Sequence, residues 1–125
     1  NVGLIPDAGG TWYLPRTLGP QRAMGLAMLG ERLPAEQAKE WGLIWDVTDD
    51  EQLMPAAMAL AQRLAAGPGI ALERIKKAIH AAPHNPLAKQ LDMESDLQRE
   101  CGHSKDFIEG AMAFMQKRKP QFTGR

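Results

Sequence analysis

The stretch Gly3-Leu4-Ile5-Pro6-Asp7-Ala8-Gly9-Gly10-Thr11-Trp12 sets a carboxylate beside paired glycines, with an apolar phrase before it and a helical pattern after it. Glycine lets another backbone or a substrate approach closely, so a carboxylate held there can be presented to a ligand. Enclosure by apolar neighbours such as Ile5 and Trp12 favours the protonated form of a carboxyl group and suits it to shuttling protons. An aspartate ahead of a helix also serves as N-cap or turn former, and the local residues leave both roles open.

The rest of the chain reads as helices separated by glycine and proline. Thr11 to Leu18 predicts a short helix broken by Pro15, and Pro20 suits the first turn of a helix that runs to Leu29 and stops at Gly30. Pro34 to Trp41 is a compact helix closed by Gly42. Leu43-Ile44-Trp45-Asp46-Val47, rich in β-branched and aromatic residues, predicts the one strand. Asp49 and Asp50 cap a long helix in which Leu53, Ala57, Leu60 and Leu64 share a face predicted to be buried, with Pro55 near the end of the first turn. Gly67-Pro68-Gly69 ends it. The next helix turns Leu72, Ile75 and Ile79 inward and Lys76 and Lys77 outward, and stops before Pro83. Asn85-Pro86 opens another, carrying Leu87, Leu91 and Leu97 as far as Gly102. The last starts at Ser104 and places Phe107, Ala111, Phe114 and Met115 on one face. Methionines at helical spacing, among them Met24, Met28, Met54 and Met58, read as core filling. The piece is mainly α. A lone strand lacks partners for its ladder groups, and the chain opens on Asn1 rather than Met. Both features predict part of a longer polypeptide, completed by an upstream segment or a second subunit.

The 125 residues include 15 Lys+Arg and 15 Asp+Glu, with 44% hydrophobic and 24% charged residues, which is ordinary for a folded domain. No apolar run reaches membrane-spanning length and no tract is of low complexity. The zero net charge conceals an asymmetry. Residues 1–62 hold four bases and eight acids, whereas residues 63–125 hold eleven bases and seven acids, so the halves stand at −4 and +4. A neutral chain exerts no long-range pull on nucleic acid, although its basic end suits a localised phosphate.

Other chemistries find little support. Cys101 is the single cysteine, so no internal disulfide and no thiolate zinc cluster can form, and a reducing compartment is expected. His80 and His84 are separated by Pro83, which breaks the helix that would align them, and no metal site is expected. There is no G-x-S-x-G, no G-x-G-x-x-G and no Walker loop.

The motif Gly3 to Thr11, followed by Leu14-Pro15-Arg16 and Gly19, resembles the crotonase family of enoyl-CoA hydratases and isomerases. The likeness continues through Met24 to Leu33, through Ala35-Glu36-Gln37-Ala38 to Gly42-Leu43-Ile44, and through Glu109-Gly110, Phe114 and Lys117-Arg118-Lys119-Pro120. It implies the α/β crotonase fold (a β-spiral), of which this chain is the mainly α-helical C-terminal half. Residues 1–66 would belong to the core and carry the active-site loop, and residues 67–125 would form the helical region for trimerisation and CoA contact. Asp7 stands where several double-bond isomerases of the family carry a catalytic aspartate and where hydratases commonly carry glycine. The phrase from Ile5 to Arg16 is closest to the isomerase branch that acts in phenylacetate degradation.

The resemblance further implies an acyl-CoA substrate, bound through Ile5, Pro6, Gly9, Trp12, Phe114 and Lys117, with Asp7 as the catalytic group. Lys117 is the position that reaches the CoA phosphates, often those of a neighbouring subunit. A family aromatic near the adenine is replaced around Gln98. The oxyanion-hole donors, and the glutamate that hydratases use as a second acid–base group, would lie upstream of Asn1. The implied assembly is a trimer or dimer of trimers, cytoplasmic, with no cofactor beyond the coenzyme A of the substrate. Hydration by an enoyl-CoA hydratase, and a non-catalytic helical oligomerisation role for the isolated chain, are the alternatives.

Overall fold

A computed structural model describes residues 3–125 as helices joined by short turns. In order these are α1 (Gly10–Leu18), α2 (Pro20–Leu29), α3 (Ala35–Glu40), α4 (Asp50–Ala65), α5 (Gly69–Ala81), a 3₁₀ turn (Ala82–His84), α6 (Leu87–Gly102) and α7 (Lys105–Met115). They fall into two compact units, one ending at Leu53 and the other comprising Met54–Arg125.

In the first unit α1 and α2 pack as a helical hairpin across Gly19, with Leu18 and Ala23 buried between them. Pro20 occupies the first turn of α2, where its missing N–H would have had no partner in any case. Pro15 does not break α1, contrary to expectation: it is the sixth residue of the helix. The only bond it removes is the one to the Thr11 carbonyl, on an exposed residue that water can satisfy. Pro55 sits at the matching place in α4.

The predicted strand is not formed. Among the described residues Leu43–Val47 have no neighbouring strand, and several of their polar groups are used locally. The Leu43 and Ile44 N–H groups both donate to the Ala38 carbonyl, at 2.8 and 3.4 Å, closing α3 through Gly42 at φ 78°. The Asp46 carboxylate accepts from the Val47 N–H at 2.9 Å and pairs with Lys39 at 2.6 Å.

In the second unit α5, α6 and α7 pack in sequence around Leu97 and Ala113. Arg74 of α5 bridges to Glu100 of α6 at 2.6 Å, and the Gln90 amide donates to the Ala78 carbonyl at 3.2 Å. The Ser104 hydroxyl caps α7 by accepting the Phe107 N–H at 3.1 Å. Asp106, only 3% exposed, accepts the Thr123 and Gly124 N–H groups at 2.7 and 2.9 Å and so fastens the C-terminal segment to α7.

Three expectations about burial fail. None of α4 is buried, so the Leu53, Ala57, Leu60 and Leu64 face is exposed. Ile75 and Ile79 are exposed and Leu72 is half-buried, while α6 buries Leu97 but not Leu87 or Leu91. Met24, Met28, Met54 and Met58 are exposed and fill no core of this chain. The periodicity is present, but within the chain little lies opposite it.

Candidate active site

The start of α1 is built by a strained turn. The Gly10 N–H donates to the Asp7 carbonyl at 2.8 Å, across Ala8 at φ 48° and Gly9 at φ 87°. Ala8 is one of two described residues other than glycine with positive φ, a conformation that costs an ordinary residue of order 1 kcal/mol. The Trp12 and Tyr13 N–H groups then donate to the Gly9 carbonyl, both at 2.9 Å, and the helix begins. Asp7 is therefore a turn former through its backbone and not the N-cap, which is Gly9. Its carboxylate is exposed and has no hydrogen bond or ion pair among the described residues.

Beside this turn, between α1 and α2, lies a cavity of about 190 Å³ lined by Pro6, Gly10, Leu14, Pro15, Ala23 and Met28 among others. Asp7 borders it in sequence without lining it. The apolar enclosure expected from Ile5 is absent, since Ile5 is 81% exposed. Trp12 packs edge-on against Tyr13, with ring centres 4.7 Å apart, and carries the Arg16 guanidinium 4.0 Å above its own ring. Ile5, Pro6, Asp7, Gly9 and Trp12 thus share one loop and helix start.

Phe114 and Lys117 belong to the second unit, at the end of α7, and both are exposed. Lys117 is the other residue at positive φ, 52°, and forms the left-handed turn that terminates the helix. The adjacent basic run is not three equivalent cations. Arg118 makes a two-pronged pair with Glu109, at 2.6 and 2.9 Å, and Glu109 also accepts the Gln121 N–H at 2.8 Å. These donors, Arg118 foremost, hold the Glu109 carboxyl down to about 2. Sequence reasoning gave Glu109 and Asp106 no role. Glu109 was signalled by the Glu109-Gly110 motif, whereas nothing in the sequence marks Asp106 as an anchor for residues seventeen and eighteen positions away.

Gln98 lines a groove of about 900 Å³ along α5, α6 and α7, with Leu91, Phe107 and Phe122. No cluster of His, Cys, Asp or Glu suited to a metal ion occurs among the described residues, and none of their helices is long and apolar enough to cross a membrane.

The family model for enoyl-CoA hydratase/isomerase matches residues 1–125. The chain belongs to this family. Over 124 residues it is 57% identical to the 1,2-epoxyphenylacetyl-CoA isomerase of Escherichia coli, covering 99% of this chain and 47% of that protein. It is 51% identical to a protein of Rhodobacter capsulatus described as "Probable enoyl-CoA hydratase", covering 99% and 48%. Among solved structures, an enoyl-CoA hydratase subunit I from Geobacillus kaustophilus superposes with a TM-score of 0.91 at 39% identity, covering 100% of this chain and 49% of the other. The enoyl-CoA hydratase of Bacillus anthracis does so at 0.88 and 37%, covering 98% and 48%. The chain spans about half the length of the relatives it matches, and it carries a helical half of the crotonase fold. Within this enzyme family both isomerase and hydratase names occur among its relatives.

Proposed function

We propose that this chain supplies the proton-transferring carboxylate of an acyl-CoA isomerase, and that the carboxylate is Asp7. The observation that carries the reading is the Asp7 side chain, exposed and without a partner among the described residues, held on a strained turn at the head of α1. In a β,γ-enoyl thioester the carboxylate takes a proton from the carbon next to the carbonyl, and the electrons spread into an enolate. Backbone N–H donors aimed at the carbonyl oxygen stabilise the charge that develops there. The proton is returned two carbons further along, which leaves the α,β isomer and regenerates the carboxylate. No electrons are gained or lost, so the step calls for no redox cofactor, and coenzyme A enters with the substrate.

The relative at 57% identity supports a ring-epoxidised phenylacetyl-CoA, converted to its oxepin, as a substrate alongside simple enoyl-CoA, and hence a role in phenylacetate catabolism. Lys117, with Phe114 near it, would meet the nucleotide end of CoA in a cytoplasmic trimer or dimer of trimers, across a subunit boundary in the arrangement the family resemblance implies. Replacing Asp7 with Asn in the whole enzyme should lower isomerisation of a β,γ-enoyl-CoA by about two to four powers of ten. An undiminished rate would rule out the assignment.

Hydration is a second reading, supported by the relative at 51% identity. Its mark is a 3-hydroxyacyl-CoA product carrying oxygen from labelled water, and a shifted double bond without that label favours isomerisation.

A further inference from the structure

The end of α7 closes through two backbone hydrogen bonds. The Lys117 N–H donates to the Phe114 carbonyl at 3.2 Å and the Arg118 N–H to the Ala113 carbonyl at 3.0 Å, with Lys117 itself left-handed. Glycine is the usual occupant of that position, because a side chain there is strained. A lysine in its place projects from the tip of the turn, and its ammonium has no partner among the described residues.

The segment after the turn is tied back to α7 by side-chain hydrogen bonds. Arg118 is taken up by Glu109 and by the Gln116 side chain, at 2.7 Å, and its guanidinium also donates to the Lys119 carbonyl at 3.2 Å. Glu109 holds the Gln121 N–H, and one turn earlier Asp106 holds Thr123 and Gly124. A flexible lysine on a frayed helix end would lose conformational freedom on meeting a phosphate; a pinned turn has already lost much of it.

We propose that Glu109 is a positioning residue for coenzyme A: by clamping Arg118 and the Gln121 amide it fixes the turn from which Lys117 is presented to the CoA phosphates. The inference rests on the reading of Lys117 as the residue that meets CoA. It also divides the basic run by task, with Lys117 for the ligand and Arg118 for the scaffold.

The test compares kcat/KM for a CoA thioester with that for the pantetheine thioester of the same acyl group, which lacks the nucleotide phosphates. In the whole enzyme, Lys117→Ala should lower the CoA-to-pantetheine ratio about tenfold, about 1.4 kcal/mol of discrimination. Glu109→Gln should lower it in the same direction, through KM for the CoA substrate and with kcat little changed. If Lys117→Ala lowers the ratio and Glu109→Gln leaves it alone, or lowers both substrates equally, the clamp is structural only and the proposal fails. If Lys117→Ala itself leaves the ratio unchanged, the reading of Lys117 fails and the proposal with it. Arg118→Lys, which keeps the charge but loses the two-pronged geometry, carries the same comparison should Glu109→Gln fail to fold.

Discussion

Gly9 and Lys117 both take up a left-handed backbone, for opposite reasons. At Gly9 a Cβ would stand 2.9 Å from the Tyr13 ring, so glycine is favoured there both by φ and by the room it leaves that ring. At Lys117 nothing in the backbone scheme requires a side chain, and glycine would serve the turn better. Strain of this kind, at a position where glycine would relax the turn, is what the proposed role of the Lys117 side chain would account for. Lys117→Gly should therefore raise stability, by about 1 kcal/mol, while it removes the preference for CoA over pantetheine thioesters. Thermal unfolding and the two-substrate comparison, made on the same variant, check both halves. Loss of stability together with loss of preference would mean that the lysine supports the fold.

Among the elements, α7 shows how local and distant information divide. Its N-terminus at Ser104 was legible in the sequence because a capping hydroxyl acts on its own next turn, and the same holds for Pro20, Gly30 and Gly42. What Asp106 and Glu109 do was not legible, since their partners lie nine to eighteen positions away in a segment without periodicity. Leu43–Val47 failed for a related reason: strand propensity describes a residue's fit to a sheet, and no sheet neighbour is present among the described residues. The Glu109 clamp has a defined pH response. Its carboxyl binds protons less readily in the folded chain than at the ordinary value of 4.5, falling to about 2. The unfolded chain therefore takes up the extra proton as pH falls, and the contribution to stability, complete above about 4.5, drains between there and about 2. The Gln121 amide should remain protected from hydrogen exchange, after correction for the intrinsic rate, down to about pH 4 and lose protection below it. In Glu109→Gln the protection should already be low at neutral pH; a wild-type amide that opens near pH 6 would mean another group controls the tail.

At the scale of the whole chain, the turn ahead of α1 was readable because Asp7, Gly9 and Gly10 act within one turn, whereas the core was misjudged because periodicity reports which face is apolar and not what covers it. The faces left uncovered are substantial. Leu53, Leu60 and Leu64 of α4 and Phe114 and Met115 of α7 are all exposed, Phe114 at 85%. Exposed apolar helix faces of this kind suit a contact with further protein. The chain spans about half of its relatives' length, so either more polypeptide or other copies can provide that contact. Expressed as the 125 residues alone, it should bind a hydrophobic dye and scatter light as an oligomer or a broad distribution at micromolar concentration. Leu60→Glu, which places a charge in the middle of the exposed α4 face, should shift the scattering mass downward and reduce dye binding. A monodisperse monomer that leaves the dye dark would show instead that these faces need no cover, and that the isolated chain is stable with its leucines and Phe114 in water.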